Sequence, residues 1–99
     1  MAHLSDDALL AALGRVNRAH KAVTAELVAH IAEVDARKLY LGQASPSMFA
    51  YCVERLGCSE DEACRRIDAA RIVRKWPVIL GKIALGEISL TVLSKLNRS

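Results

Sequence analysis

Aromatic side chains are scarce in this chain. One Trp, two Tyr and one Phe make up 4% of its 99 residues, although 53% are hydrophobic. Ala, Leu, Val and Ile must therefore supply the packing, as they do in helical proteins. No run of eighteen apolar residues occurs, so no membrane span is expected. The first ten residues, MAHLSDDALL, lack the basic and apolar regions of a signal peptide. Cys52, Cys58 and Cys64 are odd in number, and without an export signal they read as reduced thiols in a cytoplasmic protein.

Reactive constellations are missing as well. The cysteines lie six residues apart, which matches neither a Cys-x-x-Cys site nor its relatives. His20 and His30 are ten residues apart, roughly 15 Å along one helix, too far to share a metal ion. No Gly-rich phosphate loop is present, and no nucleophile has an evident base. The acidic groups Asp6-Asp7 and Glu60-Asp61-Glu62 fall in helix first turns, where the dipole accounts for them. No catalytic residue, metal ligand or cofactor is expected, and the chain reads as non-enzymatic.

What is present is helical pattern. Ninety-nine residues make one domain with a modest core. Ser59 and Glu62 form a capping box, and Arg71, Arg74 and Lys75 fill the other end of the same helix before Pro77 stops it at Trp76. Ala63, Ile67 and Ala70 lie on one side, and Ala69, Ile72, Val73 and Trp76 on another. A helix needing cover on two sides belongs at the centre of the domain.

Ahead of it, Ser5 caps a helix expected over residues 6–39. Leu9, Leu13, Val16, His20, Val23, Leu27, His30 and Val34 are spaced alternately four and three apart along it, with Leu10 and Ile31 widening the seam. Such a helix, roughly 50 Å long, either lies across the other helices of its own chain or pairs with a second copy. The second reading makes those eight residues a homodimer interface. Over residues 45–96 a helical bundle is expected. Ser45 and Pro46 should start a short helix buried through Phe49, Cys52, Val53 and Leu56 and stopped by Gly57. Its short turn into the central helix is helix-turn-helix-like. Two further helices follow, one ended by Gly86 and one capped by Ser89 that carries Leu90, Val92, Leu93 and Leu96. The fold class is all-α, with about four shorter helices after the long one.

Net charge is +3, compatible with nucleic acid without requiring it. Asp61 and Glu62 stand four residues before Arg65 and Arg66 and should pair with them. Arg71, Arg74 and Lys75 have only Asp68 nearby. They form the candidate phosphate-contacting cluster, with Lys82 as its expected extension. The chain stops at Asn97-Arg98-Ser99, directly after an apolar helix, a pattern expected of a fragment or of a product that has lost what followed.

Three runs, AELVAHIAEVDARKLYL, SPSMFAYCVERLGCSEDEACRRIDAARIVRKWP and ALGEISLTVLSKL, resemble in order the N-terminal helical region of bacterial HNH-endonuclease-like proteins. The resemblance covers about residues 20 to 96. In that family the metal-binding histidines and asparagine lie further toward the C-terminus, and no His follows His30 here. The resemblance thus implies an accessory helical module, without catalytic residues of its own, that helps a nuclease engage double-stranded DNA or assemble. A dimerisation or interaction module, or an inhibitor pairing with a related nuclease, are the rival expectations.

Overall fold

The computed structural model describes residues 4–98; residues 1–3 and 99, included in the single-domain expectation, lie outside the described residues. Five α-helices follow one another: α1 (Asp6–Arg37), α2 (Met48–Glu54), α3 (Glu60–Lys75), α4 (Ile79–Leu85) and α5 (Leu90–Arg98). A 3-10 turn, Leu39–Gln43, joins α1 to α2. The described residues contain no strand, and the fold is all-α.

Ser5 caps α1 by accepting from the Ala8 amide at 3.2 Å. The helix ends at Arg37, two residues short of the expected Leu39. Lys38 swings into the left-handed region (φ 54°), and its N–H bonds back to Val34 and Asp35. At about 1.5 Å per residue, 32 helical residues span roughly 48 Å, which accounts for the 49 Å long dimension of a molecule only 27 × 21 Å across.

Helix α3 is central. Its capping box closes with Ser59 N–H on the Glu62 carboxylate and Glu62 N–H on the Ser59 hydroxyl, both 3.1 Å. Ala63, Ile67 and Ala70 are buried on one side, and Ala69, Ile72 and Val73 on another. Cover comes from α1, α2 and α5, and alanines at three of these positions let the neighbouring backbones come close. Trp76 departs from the expected pattern. Preceding Pro77, it is barred from the helical region and turns to φ −132°, ψ 82°, leaving its side chain 58% exposed.

The start of α2 also differs from expectation. Ser47 is its N-cap, accepting from the Ala50 amide at 3.0 Å. Ser45 is instead drawn into the turn, its N–H bonded to the Tyr40 carbonyl at 3.1 Å, and its side chain is buried. Of the expected buried face, Cys52 is buried and Val53 partly so, but Phe49 and Leu56 are exposed and Met48 takes the inner position one turn before Cys52. Gly57 (φ 73°) then turns the chain so that Cys58 N–H reaches the Cys52 carbonyl at 3.0 Å. Glycine takes that left-handed backbone without the strain a Cβ would add.

Gly86 ends α4 as expected, in a Schellman arrangement: Glu87 N–H bonds Lys82 O and Gly86 N–H bonds Ile83 O. Ser89 caps α5 through Val92 N–H at 3.2 Å. That last helix is tied down from α3. Asp68, buried, accepts from Ser94 Oγ at 2.5 Å, Asn97 Nδ2 at 3.0 Å and Arg98 Nε at 3.0 Å. The guanidinium of Arg98 is held still more firmly charged by that carboxylate. Among the described residues no helix is long and apolar enough to cross a membrane.

Candidate functional site

The two readings of α1 divide the helix between them. Its second half lies across the chain's own core: Ala25, Val28, Ile31 and Ala32 are buried, and Leu27 and Val34 pack partly against them. The helix before Ala25 has no such cover. Leu9, Leu13, Val16 and Val23 are 41%, 63%, 65% and 60% exposed, and His20 is exposed too. The seam therefore runs from a supported end to a bare one. Ile31, expected at its margin, belongs to the core.

The two seam histidines face different surroundings. His30 is exposed, with Nδ1 2.6 Å from the Glu26 carbonyl. A carbonyl only accepts, so Nδ1 is the donor in this contact. His20 lines a small cavity of about 180 Å³ with Lys21, Ile83 and Ile88, where α1 meets the α4–α5 corner. Among the described residues no group of three His, Cys, Asp or Glu side chains is placed to hold a metal ion.

The cysteines are packing residues for the most part. Cys52 is fully buried, and burial, followed by the nearby Cys58, raises its thiol to about 11. Cys58 is buried and accepts from Arg66 Nη1 at 3.0 Å. Cys64 is half-buried.

The basic cluster is partly assembled. Arg71, Arg74 and Lys75 line one open cleft of about 480 Å³, together with Asp35 and Asn97. Arg71 is not a free cation: its Nε lies 3.6 Å from Asp35 Oδ2. Asp68, the acid nearest in sequence, is occupied by α5 instead. Arg74 and Lys75 are exposed and make no ion pair among the described residues. Lys82 does not join them. It sits on α4 with Nζ 3.6 Å from Glu87 Oε2, and it does not line the cleft. Of the two expected acid-first pairs, Glu62–Arg66 forms at 3.5 Å and Asp61–Arg65 does not.

The α2–α3 pair has the expected short connection. A recognition helix reads bases with its N-terminal residues, and here that turn carries Glu60, Asp61 and Glu62. The exposed cations of α3, Arg74 and Lys75, lie at its other end. No protein-family model, curated protein or solved structure matches the chain. Fold and surface together define a class, an all-α module with a partly uncovered helical arm.

Proposed function

We propose that the chain is a non-catalytic accessory module that works by assembly, pairing with a second copy through the first half of α1. One observation carries this reading: four large aliphatic side chains of a single helix, Leu9, Leu13, Val16 and Val23, stand 41–65% exposed in regular seam spacing. Scattered surface leucines are ordinary, whereas a continuous apolar patch marks an interaction surface. The resemblance to the region preceding HNH nuclease motifs supports the accessory role, and a nuclease of that type is the activity we propose it serves.

Sedimentation equilibrium at micromolar concentrations tests it. The expected mass is twice 10.8 kDa, and Val16→Glu, which places a charge in the seam, should return it to the monomer with the helical body around α3 still folded. A monomer at every concentration overturns the reading. Leu27, partly packed against the chain's own core, is a poorer choice, since a charge there also strains the fold.

A second reading rests on Arg74 and Lys75, two cations unpaired on the rim of the α3 cleft. They suit the phosphates of double-stranded DNA rather than its bases, with Arg71 shared between Asp35 and the ligand. Such contacts release counterions, so affinity would fall steeply with salt on any sequence.

A further inference from the structure

Leu10 and Val28 lie eighteen residues apart on α1, five full turns, and so share one face of the helix at about 3.6 residues per turn. Val28 is fully buried under the helical body, whereas Leu10 is 66% exposed. The arm thus repeats, beyond the end of the body, a side that asks for a body to cover it. Beside that side runs the seam. The exposed parts of Leu9, Leu10, Leu13, Val16 and Val23 come to roughly 500 Å², within the largest apolar patch a monomer usually shows, about 300–600 Å².

From these positions we infer that two copies pair through α1 antiparallel, about a two-fold axis beside residue 18. The inference rests on the assembly reading and specifies its geometry. In this register Leu9 meets Leu27 of the second copy, Leu13 meets Val23 and Val16 meets His20, and each contact occurs twice. One layer further out, Asp6 meets His30. The two-fold axis sets both bodies on the same side of the helix pair but at opposite ends. Each body then lies beside the other copy's arm, on the side where Leu10 is bare. This adds the area that the arms alone lack against the roughly 800 Å² per partner of a standard interface.

A parallel pair from the same seam does none of this. It stacks His20 on His20 and His30 on His30 and aligns the two helix dipoles. It also brings the acidic turns Asp6-Asp7 together and leaves both Leu10 side chains uncovered.

Thiol cross-linking of the full chain distinguishes the arrangements. Leu13→Cys and Val23→Cys are made separately in a Cys64→Ser background; the two remaining cysteines are buried, and the two substituted positions are exposed, so neither change threatens the core. Under mild oxidation each variant alone should stay uncross-linked, and an equimolar mixture should give a covalent dimer. Cross-linking of either variant with itself overturns the antiparallel register and leaves the assembly reading standing. A sedimenting dimer that no combination cross-links also overturns the register. A monomer by sedimentation removes the assembly reading itself.

Discussion

Asp68 of α3 and Ser94 of α5, twenty-six residues apart, meet through a buried 2.5 Å hydrogen bond. With Asn97 and Arg98 on the same carboxylate, this is the polar anchor that holds the last helix on the central one. Asp68→Ala would leave Ser94 buried without its partner and free Asn97 and Arg98. A loss of about 1–3 kcal/mol is expected, the usual result of stranding a buried polar group, read as a lower urea midpoint. Ser94→Ala should cost less, since Asp68 keeps two donors. An Asp68→Ala midpoint equal to the parent would show that α5 is held by apolar packing through Leu90 and Leu93 rather than by this anchor.

Ile67 is 5% exposed beneath the first half of α3. Ile67→Ala should cost roughly 2–5 kcal/mol through lost burial and a residual cavity. That is a large share of the 5–10 kcal/mol or so expected for a domain of this size. A shift below about half a kcal/mol in denaturant unfolding, small for any core site, would mean the core is centred elsewhere.

Cys52 gives the chain an alkaline stability limit. Burial raises its thiol from 9.0 to about 11, so the folded state holds that proton more tightly than the unfolded chain does. The contribution is fully present below pH 9 and is lost as pH rises toward 11. Linkage puts it at roughly 2–3 kcal/mol for a shift of about two units. Urea unfolding at pH 8 and pH 10.5 should show a fall in stability that shrinks in Cys52→Ala. An equal fall in both proteins would assign the alkaline loss to other groups.

For the cleft, fluorescence anisotropy with two unrelated 20-mer duplexes over a range of salt is the direct measurement. Arg74→Ala or Lys75→Ala should weaken binding about equally on both duplexes and reduce the log–log salt slope by about 1. Lys82→Ala, with that lysine paired to Glu87 outside the cleft, should change nothing. No binding at low salt would dispose of the phosphate reading.

What could be read from the sequence was mostly local. The Ser59–Glu62 box, the Gly57 and Gly86 turns and the Ser89 cap each depend on residues within one helical turn, and each is found. The two-sided burial of α3 was equally plain in its alanine and isoleucine spacing. The start of α2 was not, because Ser45 and Ser47 both flank Pro46. The choice between them is made by the bond from Ser45 to Tyr40, part of the turn after α1. Asp35–Arg71 and the Asp68 cluster join residues 26 to 36 positions apart, and no periodicity announces such pairs. The seam's spacing was legible, but which half of it would be covered depended on where the body sits.

Helix α1 has one more consequence, for folding rather than docking. From Asp6 to about Ala19 its turns carry no buried residue, so only intrinsic propensity and the Ser5 cap hold them helical. Isolated helices shorter than about 12–15 residues are marginal in water, and Gly14 lies in the middle of this one. The order of the arm and the pairing of two copies should therefore be a single equilibrium. Backbone amides of residues 9–19 would exchange quickly in dilute protein and slowly in concentrated protein, while those of α3 stay protected at both.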